Sequence, residues 1–336
     1  MMRKVLVIVC VVIIFGCEED LVKNRNVGNA LGTTYSILYI TDNETDFQKE
    51  IDSVFQVVNQ SLSTYIPQSD ISRINRGDST VVVDHMFQEV FELSKRIHDV
   101  SNGYFDPTVG VLVNAWGFGP GKQMELDSIR IDSLLQYVGF DKVKLTDQNT
   151  IQKEKEEIYF DFNAVAKGYA IDRLGAMLDA KGVQDYLVEL GGEVLVKGTN
   201  RIAQKKWTVG IDDPLAENER KLKRIVSLED VAMASSGNYR KFRVDSETGE
   251  KYVHTINPKT GFTKNSKVLA TSVVARTCAE ADAFATAFMA MDLNDTRKLL
   301  LISNIVGGPE VYIIYLDNEG ETKEYMTPGF EALVSQ

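Results

Sequence analysis

Hydrophobic positions along the chain follow two spacings. Phe47, Ile51, Val54, Phe55 and Val58 recur at helical intervals, as do Phe87, Val90, Phe91, Ser94 and Ile97, and again Ile131, Leu134, Leu135 and Val138. Ser69 and Asp84 stand where N-caps belong, the first opening a short helix after Pro67 and the second opening the helix through residue 97. Between these segments, short runs rich in β-branched and aromatic residues predict strands over 31–40, 81–83, 143–145, 158–162, 185–190, 193–196 and 207–211. Further strands are expected over 222–228, 231–234, 252–256, 268–275, 311–316 and 322–326. The segment 163–182 reads as a helix closing at Gly182, AEADAFATAFMA as a second, and 294–303 as a third. Many short strands interleaved with helices, several joined by hairpin-like turns, predict an α+β fold with largely antiparallel sheet.

The N-terminus changes the picture of where the chain works. Arg3 and Lys4 precede an apolar run from Val5 to Phe15 and then Gly16-Cys17. That run is shorter than the roughly 20 residues a spanning helix needs, so it reads as a signal-peptide core. A cysteine after a small residue at this point resembles a bacterial lipobox, with Phe15 bulkier than usual. The expected organisation is a signal over 1–16, lipid on Cys17 and an acidic tether over 17–27 ahead of the folded part of the chain. With Cys10 in the signal and Cys17 acylated, Cys278 is left as the lone thiol, so no intramolecular disulfide is expected. A net charge of −11 argues against nucleic acid as partner.

Candidate chemistry concentrates between residues 252 and 292. His254, one of three histidines, lies in a strand-like run that breaks at Asn257-Pro258 and turns through Lys259-Thr260-Gly261. In the following helix Asp282 and Thr286 are four residues apart, which stacks a carboxylate and a hydroxyl on one face. Oxygen pairs of this kind suit Mg²⁺; an early-helix acid and a packing threonine would look the same. Lys167 falls in the first turns of a helix after a strand, a place that favours anions, although no GxxxxGK[ST] loop is present. Ser235-Ser236-Gly237-Asn238-Tyr239 reads as a small-residue turn whose amides could hold phosphate oxygens. The run GYFDPTVGVLVNAWGFGPG lets backbone approach a planar ligand beside large rings, or simply packs on itself. His85 and His98 read as ordinary surface or packing residues.

Nine segments in register resemble one family, the FAD:protein FMN transferases or ApbE-type flavin transferases, over residues 28–330. They are LGTTYSI, LSTYIPQSDISRIN, GYFDPTVGVLVNAWGFGP, DFNAVAKGYAID, ELGGE, WTVGIDDP, SSGNY, HTINPKTG and AEADAFATA. The resemblance implies two related lobes, dividing near 158–185, with the cofactor in the cleft between them. It implies Mg²⁺-dependent transfer of FMN from FAD to a threonine hydroxyl of a redox-protein subunit, with release of AMP. It also implies an exported protein, anchored in the membrane by lipid and facing the periplasm. The metal ligands would be Ala164 through its carbonyl, Asp282 and Thr286. His254 would be the base for the incoming threonine, its ordinary pKa near 6.5 suiting that task. Leu31, Tyr65, Tyr104, Phe105, Asp106, Asp161, Lys167 and Ile256 would form the FAD site. Leu31 replaces the family's usual methionine, and Ala164 can offer only backbone oxygen. The same metal site would serve an FAD diphosphatase, and a non-catalytic FAD-binding lipoprotein is the reading from another class.

Overall fold

The computed structural model describes residues 21–216, 221–238, 242–244, 251–253, 255–263, 267–303 and 308–335. The first strands are β1 (Val22–Ala30) and β2 (Thr33–Thr41), followed by helices α1 (Gln48–Leu62), α2 (Asp70–Asn75), α3 (His85–Val100), α4 (Gly110–Ala115) and α5 (Ser128–Leu135). A small hairpin of β3 (Val143–Leu145) and β4 (Ile151–Lys153) precedes α6 (Ala166–Ala180). Then come β5 (Asp185–Leu190), β6 (Glu193–Lys197), β7 (Trp207–Asp212), β8 (Leu222–Leu228), β9 (Val231–Gly237), β10 (Phe242–Val244), β11 (Lys251–Val253) and β12 (Val268–Ala275). The chain closes with α7 (Cys278–Ala290), α8 (Leu293–Ser303), β13 (Glu310–Leu316), β14 (Thr322–Met326) and α9 (Pro328–Glu331).

One eight-stranded sheet, ordered β1-β2-β5-β6-β9-β12-β13-β14, organises the molecule, and every neighbouring pair in it is antiparallel. The fold is therefore the expected mixture of helix and antiparallel sheet. Side chains alternate faces along each strand. Tyr35, Ile37, Tyr39, Val188, Leu190, Val273, Val311 and Ile313 point to one side, into the main core with residues of α1, α3, α6 and α7. Ile40, Val194, Val196, Met233, Val274, Tyr312 and Ile314 point to the other, beneath the β7–β8 hairpin and Phe330 of α9. Both faces are covered, which explains why strands such as β13 read as almost unbroken apolar runs.

The structure corrects the local reading in four places. Val22–Ala30, largely inside the stretch expected as a tether, is the edge strand β1 paired with β2 over its whole length. The 81–83 run is extended but joins no sheet; the Val83 amide donates to the Asn149 carbonyl instead. The 158–162 run likewise stays outside the sheets, with a single bridge from Tyr159 to Val109. Asn75 fixes it instead, donating to the Phe160 carbonyl at 2.9 Å and accepting the Phe160 amide at 2.8 Å. Ser235–Gly237, expected in a turn, continues β9 and pairs with β12. A 2.8 Å hydroxyl contact with Ser272 of β12 accounts for Ser235, one of the small polar residues that made it look like a turn. The signal segment, Cys17 and the start of the tether lie outside the described residues, as does His254.

Candidate active site

Four neighbouring strands bring the motif segments to one end of the sheet. Leu31-Gly32 turns β1 into β2, and Gly191-Gly192 turns β5 into β6, with β2 and β5 side by side. Each turn has positive φ at both central residues, the pattern of a type I′ hairpin. Glycine tolerates this freely, whereas Leu31 at φ 48° costs about 1–2 kcal/mol. An open depression of about 450 Å³ lies at this turn, lined by Asn29, Ala30, Gly32, Thr33 and Thr34.

Above this end, α6 crosses α7 at close range. A Cβ at Gly168 would lie 2.4 Å from the Cys278 carbonyl oxygen, so only glycine permits the approach. Asp172 reinforces it by accepting the amides of Cys278 and Ala279 at 2.7 and 2.9 Å, which satisfies two free donors at the start of α7. The crossing places Asp282, 4% exposed, against the first turn of α6, where the Gly168 amide donates to its Oδ2 at 3.2 Å. Thr286 follows one turn later and is half-buried.

Lys167 reaches back across the same crossing to pair with Glu193, the first residue of β6. Burial opposes the Lys167 charge, yet the carboxylates of Asp282 and Glu193 hold its pKa above the ordinary lysine value. Burial and the Asp282 charge push Glu193 in the upward direction, against the pull of Lys167. Glu193 is 4% exposed, and its Oε2 has no hydrogen-bond partner. Sequence reading gave Glu193 no role beyond its place in ELGGE.

The remaining expected residues divide into two groups. Asp161 starts the turn into α6; its Oδ1 accepts the Asn163 amide at 2.8 Å, while burial raises its pKa. Tyr65, 60% exposed, lies within electrostatic reach of Asp161 and Tyr159. Tyr65 is exposed and Asp161 is half-buried. Phe105 instead sits in the main core, and Asp106 is buried, accepting from the Thr108 amide and hydroxyl and from the Phe140 amide, with His98 Nε2 at 3.5 Å. Their side chains hold the loop together. His98, expected to be ordinary packing, is thus one of that loop's anchors.

Tyr104 lies under Lys259 Nζ, 4.7 Å from the ring centroid. Lys259 also donates to the Asn102 carbonyl, and Trp116 Nε1 donates to the Gly261 carbonyl at 2.9 Å. Ile256, 8% exposed, packs in a small cluster with Leu112 and Val138. So the HTINPKTG and GYFDPTVG segments are tied to each other, and Thr255 ties the first of them to Asn238 at the end of β9 through a 2.8 Å bond.

The donor types offered by Ala164, Asp282 and Thr286 suit a hard divalent cation. Among the described residues no hydrogen bond reaches the Ala164 carbonyl oxygen, because Gly168, four residues on, gives its amide to Asp282. Carbonyl, carboxylate and hydroxyl oxygens are what Mg²⁺ takes. No group of three or more His, Cys, Asp or Glu able to hold a metal occurs among the described residues, so a site built from acids or thiolates alone is not on offer there.

The chain is similar to known proteins over most of its length. The ApbE family model matches residues 31–305. An FAD:protein FMN transferase of Vibrio cholerae is 32% identical over 332 residues, covering 96% of each chain. That of Haemophilus influenzae is 30% identical over 317 residues, covering 90% of each. Among solved structures, the flavin transferase ApbE from Vibrio cholerae superposes with a TM-score of 0.82 at 30% identity, covering 93% of this chain and 99% of that one. The apo form of the Pseudomonas stutzeri flavinyl transferase ApbE gives 0.80 at 25% identity, covering 93% and 97%.

Proposed function

The chain belongs to the ApbE family, and from that membership we propose that it is an FAD:protein FMN transferase with a threonine hydroxyl of an acceptor redox-protein subunit as its target. The observation that carries the site assignment is the α6–α7 crossing, which sets Lys167, the Gly168 amide and Asp282 around one point.

In the reaction a bond forms between the threonine oxygen and the FMN phosphorus, and the bond from that phosphorus to the bridging pyrophosphate oxygen breaks. The threonine proton leaves, and AMP departs with the bonding electron pair. Such transfers depend on positioning and electrostatic stabilisation more than on covalent help from the enzyme. Ala164, Asp282 and Thr286 would hold Mg²⁺, which when bound supplies positive charge to the pyrophosphate oxygens. Lys167 adds a fixed cation on the same side, kept charged by its two carboxylate neighbours. Asp161 and Tyr65 would meet polar edges of the flavin nucleotide, and Leu31 would pack on one of its rings. The segment carrying His254, between Val253 and Thr255, would bring the base to the acceptor hydroxyl.

The test is incubation with FAD, Mg²⁺ and a threonine-bearing acceptor. Yellow fluorescence that stays with the acceptor after denaturation, and that EDTA prevents, is the expected result. Free FMN and AMP without labelled acceptor would show a diphosphatase instead. Bound FAD with no AMP would show a binding protein. We further propose export and anchoring through lipid on Cys17, facing the periplasm; the protein should then partition with membranes, and Cys17→Ala should release it. Equal partitioning of the two would remove the anchor.

A further inference from the structure

We propose that Glu193 is a positioning residue for Lys167, fixing the lysine ammonium where the leaving phosphate must be met. The inference rests on the transferase reading of the site and adds a residue to it.

Glu193 is placed with unusual rigidity for a carboxylate. It follows directly on the Gly191-Gly192 turn, whose first glycine is so close to Thr33 that an added Cβ would lie 2.9 Å from Thr33 Cγ2. It then enters β6, in register between β5 and β9. The side chain is 4% exposed, so solvent does not support its charge. Removing a carboxylate from water is unfavourable by several kcal/mol unless a partner compensates. Lys167 compensates one oxygen only; Oε2 remains buried with no donor. A pair selected only for stability would be expected to satisfy both oxygens or to be replaced by apolar residues of like volume. A half-satisfied carboxylate held beside Asp282 is better explained by its effect on the lysine. The Lys167 stem has four rotatable bonds and would sample many positions if free. Pairing with a group fixed in the sheet restricts it before substrate arrives, and such restriction favours the transition state more than the bound ground state.

The role makes Glu193 act through Lys167, which a double-mutant cycle resolves. The readout is AMP release from FAD with saturating Mg²⁺ and acceptor, which follows the bond cleavage whichever nucleophile attacks. Glu193→Ala is expected to lower kcat at least about tenfold, with KM for FAD changed by less than about threefold. Glu193→Gln, which keeps the shape and an oxygen able to accept from the ammonium, is expected to recover most of that loss. In a Lys167→Ala background neither substitution should lower the rate further. Independent, multiplicative losses in the double variants would overturn the proposal, and so would a Glu193→Ala variant that loses melting temperature but keeps kcat. Should Glu193→Ala fail to fold, Glu193→Gln with and without Lys167→Ala carries the same cycle. No AMP release by the wild-type protein would overturn the transferase reading and this role together, whereas normal release with multiplicative losses overturns this role alone.

Discussion

His98 shows how much a single side chain can contribute to a site without facing it. Its Nε2 lies 3.5 Å from Asp106 and its Nδ1 3.3 Å from Asp99, with the Phe140 ring alongside. The Asp106 hydrogen bond is the largest influence on its pKa, and despite partial burial the imidazole is held above its ordinary 6.5. A histidine with a raised folded pKa gives stability that is fully present below the unfolded value and is lost as pH rises through the folded one. Thermal stability should therefore fall as pH is taken upward from about 6.5, by about 1–2 kcal/mol from this contact. His98→Gln should flatten that slope in melting curves across the same range. Parallel curves for the two proteins would show that the pair is not coupled to folding. Sequence alone gave the Asp282/Thr286 pair because both ends lie on one helix and the period of that helix reports it. It gave no part to His98 or Glu193, since their partners are set by the packing of loops and by a helix crossing over a hairpin. No local spacing encodes such contacts.

Among the elements, the α6–α7 crossing decides whether there is a site at all. Gly168 sits at its tightest point, and α7, which buries nearly every residue from Cys278 to Ala290, cannot move away without leaving the core. Gly168→Ala would force a Cβ to 2.4–2.7 Å from the backbone of Cys278 and Ala279. Overpacking of this kind costs roughly 1–3 kcal/mol. The same shift lengthens the Gly168 amide contact to Asp282, so the variant should melt lower and also need more Mg²⁺ for half-maximal rate. A lower melting temperature with an unchanged Mg²⁺ requirement would separate the crossing from the metal site. The helices and their caps were legible at this scale: Ser69 and Asp84 do cap α2 and α3, accepting the Ser72 and Phe87 amides. What misled was chemistry that serves two structures equally well. Val, Tyr and Phe in 158–162 suit a strand, but the Asn75 side chain takes the hydrogen bonds a neighbouring strand would have made. Ser-Ser-Gly suits a turn, but in β9 it lies beside α7, where the sheet needs small side chains.

The sheet separates a face that carries the candidate site from a face covered by the β7–β8 hairpin. Lys167, Asp282 and Thr286 belong to helices on one side, while the β7–β8 hairpin and the C-terminal residues close the other. The C-terminal segment is built into that cover: the Ser227 amide of β8 donates to the Leu333 carbonyl, the Ser335 amide donates to the Ile225 carbonyl, and Phe330 is fully buried, 5.6 Å from the Tyr312 ring. Tyr312 is in β13, whose alternate residues Val311 and Ile313 face the helical core, so among the described residues the sheet lies between the two clusters. A cavity on the second face should then lower stability without disturbing the first, because Phe330 packs in a different core cluster from the residues of α6 and α7. Phe330→Ala removes a buried ring and should cost about 3–5 kcal/mol, read as an earlier midpoint in urea unfolding. At temperatures where the variant stays folded, kcat and KM for FAD should match those of the parent protein. A change in kcat that tracks the loss of stability would mean that the cover also sets the position of β6, and with it Glu193 and the lysine it holds.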